Sequence, residues 1–273
     1  MNYLLSEIAH IVGGEHRGAD VRVRSIATDS RSVVSAEEVA FAAIDGKNHD
    51  GHQFIERMVA RGVEAFIVER DMPLPNKRCG MVVVETTLGA LQRLATYHRE
   101  QFGGKVVAIT GSNGKTIVKE WAARSMPEDI HSFASPKSYN SQLGVALSLL
   151  MLDGEEKVAF IEAGISHPGE MERLERMIKP DVVVMTSIGD AHQANFATLE
   201  HKVREKLILA HQARRIVFHS DYSEVEKIIA ELQLPFVDAA LQEVEDQPLH
   251  NEAKRVNRQL VKALCEELGY DCM

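Results

Sequence analysis

The segment Val106-Val107-Ala108-Ile109-Thr110-Gly111-Ser112-Asn113-Gly114-Lys115-Thr116 constrains this chain more than any other. Its first half is uncharged and β-prone, which reads as a strand buried on both faces. The glycines that follow let the backbone turn through positive φ, so that successive N–H groups converge. A helix opening at Lys115 adds the positive end of its dipole at the same point. Such a turn is an anion cradle, in which Lys115 reaches terminal phosphates and the Thr116 hydroxyl ligates Mg2+. One departure matters. The common phosphate loop has four residues between its glycines, whereas only Ser112 and Asn113 separate Gly111 from Gly114. Taken alone, the segment also fits an ordinary glycine-containing strand–helix turn.

A strand buried on both faces needs neighbours, and the sequence supplies them. From Lys105 onward, strands at 106–110, 132–134, 158–162, 182–186 and 215–218 alternate with helices near 115–126, 141–151, 169–178, 198–213 and 223–232. That alternation predicts a doubly wound, parallel α/β sheet. The first hundred residues also alternate, with strands at 21–26, 39–44, 65–68 and 81–84 and helices near 52–61 and 87–102. Gly103-Gly104 is the natural boundary, a flexible pair between a helix end and a new strand. It predicts domains at 1–103 and 104–273. Past Pro235 the pattern weakens: residues 237–248 are acidic and irregular, and an amphipathic helix over about 251–268 ends at Gly269.

Composition narrows the ligand. A chain of 273 residues is long enough for two cores. Its net charge of −9 argues against broad electrostatic binding to nucleic acid. No apolar run approaches the ~20 residues of a membrane span, and the N-terminus lacks the basic region of a signal peptide. Cys79, Cys265 and Cys272 have neither metal nor redox spacing, which predicts a reduced, cytoplasmic protein. An anionic ligand must then be held by local devices. Glu162, closing the strand 158–162, is suitably placed to share Mg2+ with Thr116, because hard Mg2+ takes carboxylate oxygens. Glu162 also reads as a solvated strand-end carboxylate, His192 as a loop histidine and Lys206 as a helix-surface lysine. Asp29-Ser30-Arg31 reads as a turn with an Asx cap.

Taken in order, these segments resemble the Mur ligases, the ATP-dependent amide-forming enzymes of peptidoglycan precursor synthesis. Ile109–Thr116 is similar to that family's short phosphate loop, which accounts for the spacing. Ser135-Pro136-Lys137-Ser138-Tyr139-Asn140-Ser141-Gln142-Leu143-Gly144-Val145 resembles an Asn-rich segment leading into a helix. That segment belongs to the branch adding D-alanyl-D-alanine to a UDP-N-acetylmuramoyl tripeptide. Glu162-Ala163-Gly164-Ile165-Ser166, Pro168-Gly169-Glu170 and Thr186-Ser187-Ile188-Gly189-Asp190-Ala191-His192 follow in the family's order, and the match continues through Phe196 and Glu200 to Lys206. Thr28-Asp29-Ser30-Arg31, Phe41-Ala42-Ala43, Gly46 and Asp50-Gly51-His52 are similar to its UDP-sugar-binding domain.

The resemblance implies a small N-terminal α/β domain for the UDP-sugar, followed by a doubly wound P-loop ATPase domain, with ATP and Mg2+ as cofactors. Thr110, Gly111, Ser112, Asn113, Gly114, Lys115, Thr116 and Asn140 would meet ATP, and His250-Asn251 resembles a late motif that contacts adenine. Thr116 and Glu162 would hold one Mg2+ and His192 a second. Lys206 matches the position whose amine is carbamylated, so that the catalytic set is Lys115, Glu162, His192 and Lys206. Ser30, Arg31, Gly46 and His52 fall on the UDP-sugar side. Ser138 and Ser141 stand where the family has Asn, and Ile117 where it has a hydroxyl residue. The family's third domain, which binds the incoming amine, is not expected in the residues after Asn251. Two domains without the third leave open a binding module without ligation, another ligase of the superfamily such as a folylpolyglutamate synthase, or a generic P-loop kinase.

Overall fold

The structure, a computed structural model, describes residues 1–46, 50–189, 193–244 and 252–271. It resolves into two compact units: Met1–Gln101 with Leu149–Asp153, and Phe102–Ser148 with Gly154–Met273. No helix among the described residues is long and apolar enough to cross a membrane.

The first unit begins with β1 (Tyr3–Leu4) and α1 (Leu5–Val12), continues through β2 (Glu15–Gly18), β3 (Arg22–Val23), β4 (Ser25–Ala27) and β5 (Val39–Ala42), and then α2 (Ile55–Ala60), β6 (Ala65–Val68), β7 (Gly80–Val83) and α3 (Thr87–Gln101). Strands β4, β5, β6 and β7 pair in parallel, and β2 joins β7 antiparallel at the edge. Phe41, Phe66, Met81, Ile55 and Met58 fill its core. The sequence pattern does not announce α1 or β2. α1 is only eight residues long, closed by Gly13 at φ 66°, and β2 (Glu-His-Arg-Gly) has no apolar alternation. The helix expected at 52–61 starts as a 3-10 turn over Gly51–Phe54, because the Asp50 carboxylate caps the His52 N–H.

The second unit follows as β8 (Lys105–Thr110), α4 (Lys115–Arg124), β9 (Ser132–Ala134), α5 (Gln142–Leu150), β10 (Val158–Glu162), α6 (Glu170–Ile178), β11 (Val182–Met185), α7 (Leu199–Leu207), β12 (Arg215–Phe218), α8 (Ser223–Glu231), β13 (Phe236–Asp238) and α9 (Glu252–Leu268). Its six strands lie in the order β13-β12-β11-β8-β10-β9, all parallel. Val107, Ile109, Val158, Phe160, Val182, Val184 and Val217 pack with Val118 and Ala122 of α4 and Val256, Leu260 and Leu264 of α9. The alternate residues Val106, Ala108, Ala159, Ile161, Val183 and Ile216 are buried too. Both faces are therefore covered, as a parallel sheet requires. The irregular stretch expected after Pro235 instead opens with the edge strand β13. Three residues of backbone pairing to Ile216–Phe218 suffice for that strand and need no apolar pattern of their own. Successive strands are added on one side of β8 and then on the other, so the crevice at the carboxyl ends of β8, β10 and β11 is where such a sheet binds ligands.

Candidate nucleotide-binding site

The turn after β8 sits in that crevice. Gly111 adopts φ 138°, and a Cβ there would meet Thr186 Oγ1 at 2.0 Å, so only glycine fits. Gly114, at φ 86°, starts α4. The turn is stapled to the end of β11. Ser112 N–H donates to Ser187 O (2.7 Å), and the Thr186 hydroxyl donates to Asn113 O (2.7 Å). Ser112 Oγ donates to Gly189 O at 3.2 Å. With the Ser112 N–H turned back to β11, the N–H groups aimed outward are those opening α4, which helix geometry leaves without intrahelical partners. Thr110 Oγ1 is buried and has no hydrogen-bond partner among the described residues.

Carboxylate and hydroxyl meet at the mouth of this turn. The Thr116 hydroxyl donates to Glu162 Oε2 at 2.8 Å, and Asn140 Nδ2 donates to Glu162 Oε1 at 2.8 Å. Glu162 is 1% exposed at the end of β10, so it is not a solvated strand-end group. Ser138 Oγ lies 3.4 Å from Thr116 Oγ1, while Ile117 faces solvent. Two adjacent ligands of octahedral Mg2+ at about 2.1 Å stand about 3 Å apart, and the Thr116–Glu162 oxygen separation matches this. Two hard oxygens so spaced are donors of the kind Mg2+ takes.

Cations surround the turn. Lys115 Nζ arches over it, donating to Gly111 O (3.1 Å) and Ser112 O (3.0 Å). Burial lowers its pKa, Glu162 opposes the shift and Lys202 adds to it. Lys206, only 3% exposed on α7, donates to Gly111 O at 3.1 Å. Burial, then the charges of Lys115 and Lys202, bring its pKa down to about 7. It is not a helix-surface lysine. Two further lysines escape a sequence reading. Lys119 is fully buried, binds Ser135 O at 2.6 Å and lies 4.0 Å from Glu162 Oε2. Lys202, 1% exposed, bonds Gly189 O. Each is four residues from an expected site lysine, on the same helix face, and that spacing was the available signal. Asn257 on α9 also went unnoticed: its Oδ1 would lie 3.1 Å from a Cβ at Gly114. His192, the second expected Mg2+ ligand, and His250-Asn251, the expected adenine contact, lie outside the described residues.

In the first unit, Asp29 caps the Arg31 N–H (2.9 Å) and pairs with its guanidinium (2.8 Å), the expected Asx turn. Arg31 hydrogen bonding holds the Asp29 carboxyl down to about 2. The Arg31 side chain is exposed, whereas Ser30 is buried and its carbonyl accepts from Arg61 at 2.7 Å. Gly46 is exposed beside the Asp45–Asp50 bridge. The His52 ring is engaged at both nitrogens: Glu69 N–H donates to Nε2 (3.0 Å), so Nδ1 carries the proton shared with Asp50 (2.7 Å). Its contact with any ligand requires giving up one of these bonds.

With this geometry in hand, comparison with known proteins is specific. The family model of the Mur ligase middle domain matches residues 109–263. The UDP-N-acetylmuramoyl-tripeptide–D-alanyl-D-alanine ligase of Bacillus subtilis is 31% identical over 185 residues, 68% of this chain and 40% of that protein. Its Escherichia coli namesake is 32% identical over 204 residues, 74% of this chain and 44% of that protein. The matched stretch thus spans less than half the length of these relatives. A crystal structure of MurF from Acinetobacter baumannii superposes with a TM-score of 0.86 at 24% identity, covering 99% of this chain and 66% of that one. MurF from Thermotoga maritima in complex with ADP superposes with a TM-score of 0.78 at 24% identity, over 92% of this chain and 64% of that one. These superpositions establish a common fold.

Proposed function

This chain belongs to the Mur ligase family, and from that premise we propose that it supplies the nucleotide- and UDP-sugar-binding parts of an ATP-dependent ligase. The reaction is addition of D-alanyl-D-alanine to a UDP-N-acetylmuramoyl tripeptide. The observation that carries the nucleotide reading is the convergence of Lys115, Thr116, Glu162 and Lys206 on one glycine turn. In the proposed reaction the tripeptide's terminal carboxylate attacks the γ-phosphorus of ATP. ADP leaves, and an acyl phosphate results. The amine of the dipeptide then attacks the acyl carbon, and phosphate departs.

Such chemistry needs positioning and charge neutralisation more than covalent help. The α4 N-terminus and Lys115 would hold the terminal phosphates, and Asn140 fixes the Glu162 carboxylate toward Thr116. Bound between Thr116 and Glu162, with His192 serving a second ion, Mg2+ would neutralise phosphate charge. An amine with pKa about 7 is substantially unprotonated at neutral pH. Lys206 is thereby able to attack CO2, lose a proton and become a carbamate, the form its family position implies. In the first unit, the exposed Arg31 is the cation best placed for a UDP-sugar anion.

The test is calorimetric titration of the chain with ATP and with UDP-muramoyl tripeptide, alongside ADP release with and without D-alanyl-D-alanine. Both ligands are expected to bind, and ADP to form once ATP and the UDP-muramoyl tripeptide are present together, the dipeptide being needed only for the second step. Binding of both without ADP formation makes this a binding module; failure to bind ATP rejects the site.

A further inference from the structure

Lys119 is 0% exposed on α4. Taking an ammonium out of water costs heavily, and its partners show what compensates it. Its Nζ donates to Ser135 O at 2.6 Å and to Lys137 O. It also stands 3.4 Å from Glu120 Oε1 and 4.0 Å from Glu162 Oε2. The Glu120 side chain is 42% exposed, whereas that of Glu162 is 2% exposed. The counter-charge that shares the buried surroundings of Lys119 is therefore Glu162.

The two carbonyls belong to the segment that wraps this carboxylate. Glu162 N–H donates to Ser135 Oγ at 3.2 Å, and Asn140 Nδ2 donates to Glu162 Oε1. Between them Lys137 is left-handed at φ 51°, unfavourable for a residue with a side chain, and its carbonyl is turned to Lys119. Lys119 thus fastens the 135–140 segment to α4 and faces Oε2, the oxygen that accepts from the Thr116 hydroxyl. That oxygen is also the one proposed above to meet Mg2+. A divalent cation there and an ammonium 4.0 Å away compete for one negative charge, where water screens little.

We propose that Lys119 is the resident counter-ion of Glu162, a positioning residue that holds the carboxylate when no metal is bound and opposes a divalent cation arriving without nucleotide. Metal then enters together with the polyphosphate, whose negative charge offsets both cations. This role rests on the nucleotide and Mg2+ reading above and deepens it, by coupling occupancy of the metal to occupancy of the nucleotide.

The experiment measures two ligands separately on the unaltered chain and on Lys119→Gln: Mn2+ without nucleotide, by electron paramagnetic resonance, and ATP in EDTA, by calorimetry. A charge acts with opposite sign on a cation and an anion, whereas a purely structural role weakens both. Lys119→Gln is expected to tighten Mn2+ by about tenfold and to weaken metal-free ATP by at least about threefold. The gain in Mn2+ affinity is expected to vanish in the Lys119→Gln/Glu162→Gln double variant, which identifies the site responsible. Any pattern other than tighter Mn2+ with weaker ATP overturns the inference, as does a gain that survives in the double variant. Should Lys119→Gln not fold, a Mg2+ titration is expected to restore its circular dichroism, because the divalent ion takes over the counter-charge; a variant that Mg2+ leaves unfolded overturns the inference equally. An unaltered chain that binds ATP neither with nor without Mg2+ overturns the nucleotide reading itself, a result distinct from any behaviour of Lys119.

Discussion

The Thr116 hydroxyl and the Glu162 carboxylate, 46 residues apart in sequence, meet at 2.8 Å across the mouth of the glycine turn. One comes from the first turn of α4 and the other from the last residue of β10, so their meeting depends on β8 and β10 being neighbours in the sheet. As a pair they offer two hard oxygen donors, and Asn140 holds the far oxygen of the carboxylate.

Glu162→Gln keeps the shape of this arrangement and removes its charge. It is expected to reduce Mg2+-dependent ATP affinity by at least about tenfold, while binding in EDTA stays the same or tightens, since a negative charge near phosphate is gone. Titration with and without Mg2+ measures this. An unchanged Mg2+ dependence removes Glu162 from the metal site.

Lys206 titrates at about 7 in the folded chain, against 10.5 for an unperturbed lysine. Between those values the unfolded chain binds the proton and the folded chain does not, so this group makes stability rise with pH through that window; below it the burial penalty is full. Lys206→Met has no such dependence. Relative to that variant, the unaltered chain is expected to gain about 2–3 kcal/mol between pH 6 and pH 9. Denaturant unfolding of both proteins in CO2-free buffer tests it, and a difference independent of pH contradicts a buried titrating amine.

Gly111→Ala forces a side chain into φ 138° and to 2.0 Å from Thr186 Oγ1. A loss of about 2–4 kcal/mol in unfolding free energy is expected, together with loss of ATP binding. Gly103→Ala is the internal control: its Cβ meets nothing within 4 Å, and the change should stay within about 0.5 kcal/mol. Equal effects at the two glycines would mean the turn tolerates a side chain.

Much of the fold was legible because its signals are local. Uncharged β-branched runs such as Val106–Ile109 and Val182–Val184 declare buried parallel strands, and their alternation with helices declares the α/β class. The edge strand β13 was not, since Phe236–Asp238 owes its form to pairing with β12 rather than to its own composition. At the candidate site, the glycine spacing and the helix start singled out Lys115 and Thr116, because a glycine turn and the helix it opens are consecutive in sequence.

Lys119, Lys202 and Asn257 were silent for the opposite reason. A lysine on an amphipathic helix has the same pattern whether its face meets water or a sheet. Only the packing of α4 and α7 around the turn buries these amines, and only the seating of α9 on α4 brings Asn257 to Gly114. By itself the sequence determined the chemistry available at one turn and the order of the strands along the chain. The tertiary structure decided which distant groups share that turn and how far from water they stand, because neighbour relations in a parallel sheet and depth of burial are properties of the assembled layers.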